Sequence, residues 1–153
     1  EHRDSEAASP DARGRPDRRG RPGGQHAVIV GLGSDLVHTP RVRELIARYG
    51  DHFLEKIFLP DEVSYCRRGR MNHLSFAALI AAKEATSKAL GTGWRQGIHW
   101  KLVEVLHEPS GKPTVVLHGR ARERAAELQM ARIHLSLSHD GEYALAQVVL
   151  ESD

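Results

Sequence analysis

The chain carries a single cysteine, Cys66, so no internal disulfide can brace it and a reducing compartment suits it. No apolar run approaches the length of a membrane span. Arg18 and Arg19 are not followed by the apolar core of an export signal. These absences predict a cytoplasmic protein with no membrane partner. A strong charge imbalance is missing too: the formal net charge is +2 at pH 7, and no acid-poor basic block is present to track a phosphate backbone. Nucleic acid is therefore not an expected partner. From Glu1 to Gln25 there is no apolar side chain larger than alanine. Such a stretch cannot bury enough surface to offset chain entropy, and residues 1–25 read as a disordered arm rich in Arg, Pro and Gly, its arginines nearly matched by acids.

What remains, residues 26–153, has the composition and length of one domain. A short apolar strand, Ala27-Val28-Ile29-Val30, leads into Gly31-Leu32-Gly33-Ser34-Asp35. A dinucleotide-binding reading fails here, because the third glycine would fall at Leu36 and Pro40 follows. The glycines are instead expected to bend the backbone so that Asp35 leaves the strand end, either as a ligand or as a turn-forming Asx residue. Thr39 as N-cap, Pro40 at the first helical position and Gly50 as terminator frame a helix whose apolar face is Val42, Leu45, Ile46 and Tyr49. Two shorter helices are predicted over 51–57 and 60–68. Cys66 falls in the second of these and is expected to be a small packed residue, since free cysteines usually are.

The stretch from Ser75 to Gly93 organises the rest. Its first two turns are apolar on every side, which predicts a buried helix, capped by Ser75 and ended by Gly91. Lys83, Glu84 and Lys88 interrupt this helix, and charges in a core helix need partners or a ligand. Two readings stay open: a Glu84 to Lys88 pair one turn apart, or a metal-binding carboxylate ahead of a phosphate-binding lysine, followed by a Gly-Thr-Gly loop whose amides can approach an anion. Beyond it, strands over 100–106 and 114–117 flank a Pro-Ser-Gly-Lys-Pro turn. A helix is expected over 119–130, then a strand in which Ile133, Leu135 and Leu137 alternate with polar residues. Asp140-Gly141 marks a hairpin into a closing strand over 143–150. The mixed order predicts an α+β fold, a mainly antiparallel sheet packed on a long central helix.

Taken together, Gly-Leu-Gly-Ser-Asp at 31–35, Ala-Ala-Lys-Glu-Ala-Thr-Ser-Lys-Ala-Leu-Gly-Thr-Gly at 81–93, Ser-Gly-Lys-Pro at 110–113 and Leu-Ser-Leu-Ser-His-Asp at 135–140 resemble holo-[acyl-carrier-protein] synthase. This is the small bacterial class of 4′-phosphopantetheinyl transferases. The likeness spans about residues 28–151, with the motifs in the family's order. It implies transfer of the phosphopantetheine arm of coenzyme A to a serine of an apo acyl carrier protein, with Mg²⁺ as cofactor and adenosine 3′,5′-bisphosphate released. A place in fatty acid or polyketide biosynthesis and a homotrimer with active sites between subunits follow from the same likeness. Residue by residue it implies Asp35 and Glu84 as metal ligands and Lys88 at the coenzyme A phosphates, where it stabilises or protonates the leaving group. Gly91, Thr92 and Gly93 line the nucleotide site, and Ser138, His139 and Asp140 approach from a neighbouring subunit with His139 at the phosphates. The base for the carrier serine is either Glu84 or a metal-bound hydroxide.

Arg41 matches a family arginine on the helix that receives the acidic carrier, and Arg48 and Lys56 extend this basic face. Two departures stand out. The family's Gly-Arg-Phe before Ala-Ala-Lys-Glu is Ala78-Leu79-Ile80 here, so an arginine for a coenzyme A phosphate is missing. Pro60 replaces the usual capping residue of Leu-Thr-x-x-Glu. The first departure keeps an alternative in view, a non-catalytic module of the same fold that binds coenzyme A or a carrier protein without turnover.

Overall fold

A computed structural model describes residues 26–153. The arm expected over residues 1–25 lies outside the described residues. Strand β1 (Ile29–His38) runs into helices α1 (Thr39–Tyr49), α2 (Asp51–Ile57), α3 (Pro60–Arg68) and the long α4 (Asn72–Ala89). A 3₁₀ turn (Trp100–Leu102), hairpin strands β2 (Val103–His107) and β3 (Pro113–Leu117), helix α5 (Gly119–Glu127) and strands β4 (Arg132–Asp140) and β5 (Tyr143–Glu151) complete the chain. One antiparallel sheet has the order β1-β5-β4 and a second pairs β2 with β3. The α+β architecture read from the order of elements is the one observed.

Helix α4 packs on β1 and β5, and most residues of α4 and β1 at that contact are alanine or glycine. Ala77, Ala81, Ala82, Ala85 and Ala89 of α4 are buried, as are Ala144, Ala146, Val148 and Leu150, which alternate along one face of β5. On β1 the corresponding positions are Gly31 and Gly33. A Cβ on Gly33 would run into the Ala85 carbonyl oxygen and come within 2.8 Å of the Ala89 amide nitrogen. The glycines therefore serve close approach of strand to helix; a register shift falls between Ile29 and Gly31, but nothing turns the chain off the sheet before Asp35. β1 continues through both of them, and Asp35 sits within the strand, opposite Ala146 of β5.

Other expectations shift by short steps. α4 begins at Asn72, a turn before Ser75, and has no side-chain cap; Gly91 does adopt the left-handed conformation after its end, with φ of 76°. The strand expected from Trp100 opens with the 3₁₀ turn, and α5 stops at Glu127, closed by Gln129 with φ of 60°. Asp140 pairs with Tyr143, so the hairpin's two-residue loop is Gly141-Glu142. On α1, Val42 is buried, whereas Tyr49 is left 49% exposed beneath the Arg48 guanidinium, 5.4 Å from its ring centre.

Candidate active site

Asp35 lies on the inner face of β1, shielded by α4, with a side chain only 17% exposed. The inner face reaches solvent here because α1 turns away after His38 and leaves a cavity of about 430 Å³ between α1, α2, α4 and the 3₁₀ turn. Asp35 and Glu84 both line it, along with His38, Arg41, Phe53, Ile57, Trp100 and Tyr143. Two carboxylates from separate elements thus open onto one space. Lys88, one helical turn after Glu84, bends to β1, where its ammonium donates to Asp35 Oδ1 at 3.0 Å and to the Ser34 carbonyl at 3.1 Å. The expected alternative, a Glu84 to Lys88 pair, is not formed, because the nearby strand offers Lys88 both a carboxylate and a carbonyl.

Lys83, the remaining charge of α4, does not reach this cavity; it is fully buried and paired with Glu62 of α3 at 2.8 Å. Burial draws its ammonium below the usual lysine range, and the Glu62 charge and hydrogen bond act against that shift. Cys66 lies in the same interior and is completely buried. Burial first, then the Glu62 charge, push its thiol up to about 12, which fits the packed, inert role expected of it.

The loop after α4 departs from the anion-cradle reading. The Gly91 amide donates to the Lys88 carbonyl at 3.0 Å, and the Thr92 and Gly93 amides both donate to the Ser87 carbonyl, at 3.3 and 3.1 Å. They satisfy the helix's final carbonyls, which would otherwise lack donors. The space outside Gly93 stays open, since a Cβ there would meet nothing within 4 Å. Ser138, His139 and Asp140 are exposed at the end of β4. Leu137, just before them, and Asp35 face Ala146 from opposite sides of β5, so within one chain β5 separates this trio from the carboxylates. Arg41 stands at the cavity, whereas Arg48 and Lys56 are exposed on α1 and the last turn of α2.

Sequence reasoning missed His38, Tyr143, Trp100 and Glu62. His38 stacks on Tyr143 with ring centres 5.1 Å apart and meets Glu142 at 3.4 Å, a contact between opposite ends of the chain that only the β1–β5 register creates. Phe53 and Ile57 were not singled out either, only the short helix that carries them.

This arrangement has close counterparts. The sequence profile of the 4′-phosphopantetheinyl transferase superfamily matches residues 31–148. A holo-[acyl-carrier-protein] synthase of Koribacter versatilis is 48% identical over 124 residues, covering 81% of this chain and 99% of the relative. The crystal structure of holo-[acyl-carrier-protein] synthase from Neisseria meningitidis superposes with a TM-score of 0.74 at 32% identity, over 82% of this chain and all of that one. That of the Bacillus anthracis synthase, in complex with CoA (3′,5′-ADP), superposes at 0.67 with 34% identity, over 82% and 98%. With four-fifths of this chain matched to nearly the whole of each relative, and Asp35, Glu84 and Lys88 gathered at one cavity, the chain belongs to the holo-[acyl-carrier-protein] synthase family of 4′-phosphopantetheinyl transferases.

Proposed function

We propose that the protein transfers 4′-phosphopantetheine from coenzyme A to a serine of an apo acyl carrier protein in a Mg²⁺-dependent reaction that releases adenosine 3′,5′-bisphosphate. The observation that carries this reading is the convergence of Asp35 and Glu84 on one cavity with Lys88 bonded at its edge. The donor set suits Mg²⁺, which takes one or two carboxylates and completes its shell from phosphate oxygens and water. Among the described residues no group of three or more His, Cys, Asp and Glu side chains is placed to hold a metal, as a dedicated protein cage would require. Asp35 and Glu84 would hold Mg²⁺, which would neutralise charge on the diphosphate under attack.

The chain's own residues supply the rest. Lys88 is half exposed, and on moving from Asp35 toward the ligand its ammonium meets the leaving phosphate and stabilises or protonates it. Glu84 is the candidate to accept the serine proton as the serine oxygen bonds to the β-phosphorus of coenzyme A and the bond to the bridging oxygen breaks. Phe53, Ile57 and Trp100 wall the cavity with apolar surface, which strengthens these charge interactions. Arg41 presents positive charge at the cavity for an acidic carrier, and the exposed Arg48 of α1 and Lys56 of α2 would extend it.

Association with further copies, for which a homotrimer is the form proposed, is supported by the outer face of the larger sheet. Leu32 and Leu36 are 68% and 61% exposed there and pair with Val149 and Leu145 of β5, on either side of the polar pair Ser34–Gln147. Exposed leucines paired this way on a small domain suit burial against another copy. Such an assembly would bring Ser138, His139 and Asp140 of one subunit to the carboxylates of the next.

The test is direct. Incubated with coenzyme A, Mg²⁺ and an apo acyl carrier protein, the enzyme should add a phosphopantetheine mass to the carrier, read by mass spectrometry. The absence of that gain across several carriers would overturn the proposal. Coenzyme A binding without product would point to the non-catalytic module, whose one support is Leu79, 1% exposed and part of the core where the family's arginine would stand.

A further inference from the structure

The charge that the reaction does not use is the most deeply buried one in the described part of the molecule. Lys83 is 0% exposed and each of its ammonium protons has an acceptor: Glu62 Oε1 at 2.8 Å, the Trp100 carbonyl at 3.1 Å and the Val103 carbonyl at 2.6 Å. Glu62, 2% exposed, is equally occupied. Its Oε1 accepts the Leu59 amide at 2.8 Å and its Oε2 the Val105 amide at 2.9 Å. The entrance and first turn of α3, the middle of α4, the 3₁₀ turn and β2 are therefore tied at one point.

A buried ion pair is a poor way to gain stability, because desolvation cancels most of the attraction and apolar residues of similar volume often do as well or better. What it can fix is geometry. Lys83 directly precedes Glu84 in α4. It holds the main chain of Trp100, whose side chain lines the cavity that Asp35 and Glu84 share. Glu62 holds the amide of Leu59, two residues after Ile57, another wall of that cavity. Between them Phe58, 1% exposed, carries its ring 5.8 Å from the ammonium and packs on Phe76 at 5.1 Å. The pair thus joins the helix bearing a proposed metal ligand to two of the walls facing it.

We infer that Glu62 and Lys83 act as positioning residues, setting the Glu84 carboxylate against the Trp100 and Ile57 walls so that metal and diphosphate meet the carboxylates in register. This rests on the transferase reading and assigns the pair no contact with substrate. A displacement near 1 Å at a reacting centre costs about 10²-fold in rate, so a small adjustment at the buried pair should be visible in turnover.

Two variants test it. Glu62→Gln keeps the shape of the side chain and removes one charge, and Glu62→Gln with Lys83→Met removes both and leaves the Trp100 and Val103 carbonyls without their donor. Folding is followed by circular dichroism, kcat and KM for coenzyme A by carrier modification, and metal affinity by electron spin resonance of Mn²⁺ with coenzyme A present. Expected are folded proteins whose kcat and Mn²⁺ affinity both fall by about tenfold or more, as when supporting partners of a metal site are removed, with KM for coenzyme A held within about twofold. Folded variants with wild-type kcat and Mn²⁺ affinity would overturn the inference. Failure of both to fold would do so as well, by showing the pair to be a folding element alone. Absence of product from the wild-type enzyme would instead sink the transferase reading, while the Mn²⁺ measurement would still report on the pair.

Discussion

Two lysines five residues apart on α4 make almost the same bonds and have opposite fates. Lys83 donates to Glu62 and two carbonyls with no exposure; Lys88 donates to Asp35 and one carbonyl with about half its side chain in solvent. The sealed lysine has spent every proton and can neither rotate nor be reached. The open one keeps a proton and a path to move, so a phosphate can draw it from Asp35. Chemical type does not separate them. What separates them is their surroundings: Lys83 points where α3 and β2 close over α4, and Lys88 emerges at the helix's last turn beside an open strand face.

The largest expected effects lie at the open end. Asp35→Ala and Glu84→Ala should each abolish carrier modification while the circular dichroism spectrum and melting temperature stay near wild type, since both side chains face a cavity and the core does not depend on them. Retained turnover in either would break the assignment of the open lysine's surroundings as the reactive ones. Next come the lysines themselves. Lys83→Met leaves Glu62 charged, buried and unpaired, so urea unfolding should show a loss of about 3–5 kcal/mol. Lys88→Ala should change stability by no more than about 1 kcal/mol, as half-exposed pairs do, but lower kcat about a hundredfold through loss of leaving-group stabilisation. Swapped outcomes, with Lys88→Ala unfolding the protein and Lys83→Met sparing it, would invert the comparison.

Much of the fold behind this contrast was legible in sequence, and the gaps have physical causes. The all-round apolar α4, the alternation of β4 and the turn signals gave the elements, because periodicity and glycine placement are local. The convergence of Asp35, Glu84 and Lys88 was reached by resemblance to a family and not by spacing. The role of Gly31 and Gly33 was misread, since a bend and a close approach call for the same residue and only the neighbouring Ala85 and Ala89 tell them apart. Lys83 was recognised as needing a partner, but Glu62, twenty-one positions earlier on another helix, could not be named before the packing of α3 on α4 was known. The Gly-Thr-Gly amides likewise had two possible acceptors, an anion or the helix's own carbonyls, and the local geometry favours the carbonyls.

A smaller effect is expected at the rim of the open site. Arg41→Glu should raise KM for the carrier protein several-fold, about 1 kcal/mol of lost charge complementarity, leave KM for coenzyme A unchanged, and make the variant less salt-sensitive than wild type. Equal salt dependence in the two would remove α1 from the carrier's path and leave the cavity without an assigned approach.

The effect that vanishes at neutral pH lies in the sealed region. Cys66 is buried in the same interior as Glu62 and Lys83, with its folded-state pKa raised from 9.0 to about 12. A raised pKa means that the folded protein holds this proton where the unfolded chain releases it. The stabilisation is therefore complete below pH 9 and is lost as pH climbs toward 12. Wild type should lose stability on the order of 1 kcal/mol per pH unit across that window from this thiol, while Cys66→Ala, free of the group, should lose less, with the difference read from urea midpoints at pH 8 and pH 10.5. Parallel losses in the two proteins would show that water reaches the thiol, and a channel admitting water there would also open the neighbouring ion pair, leaving Lys83 no more sealed than Lys88.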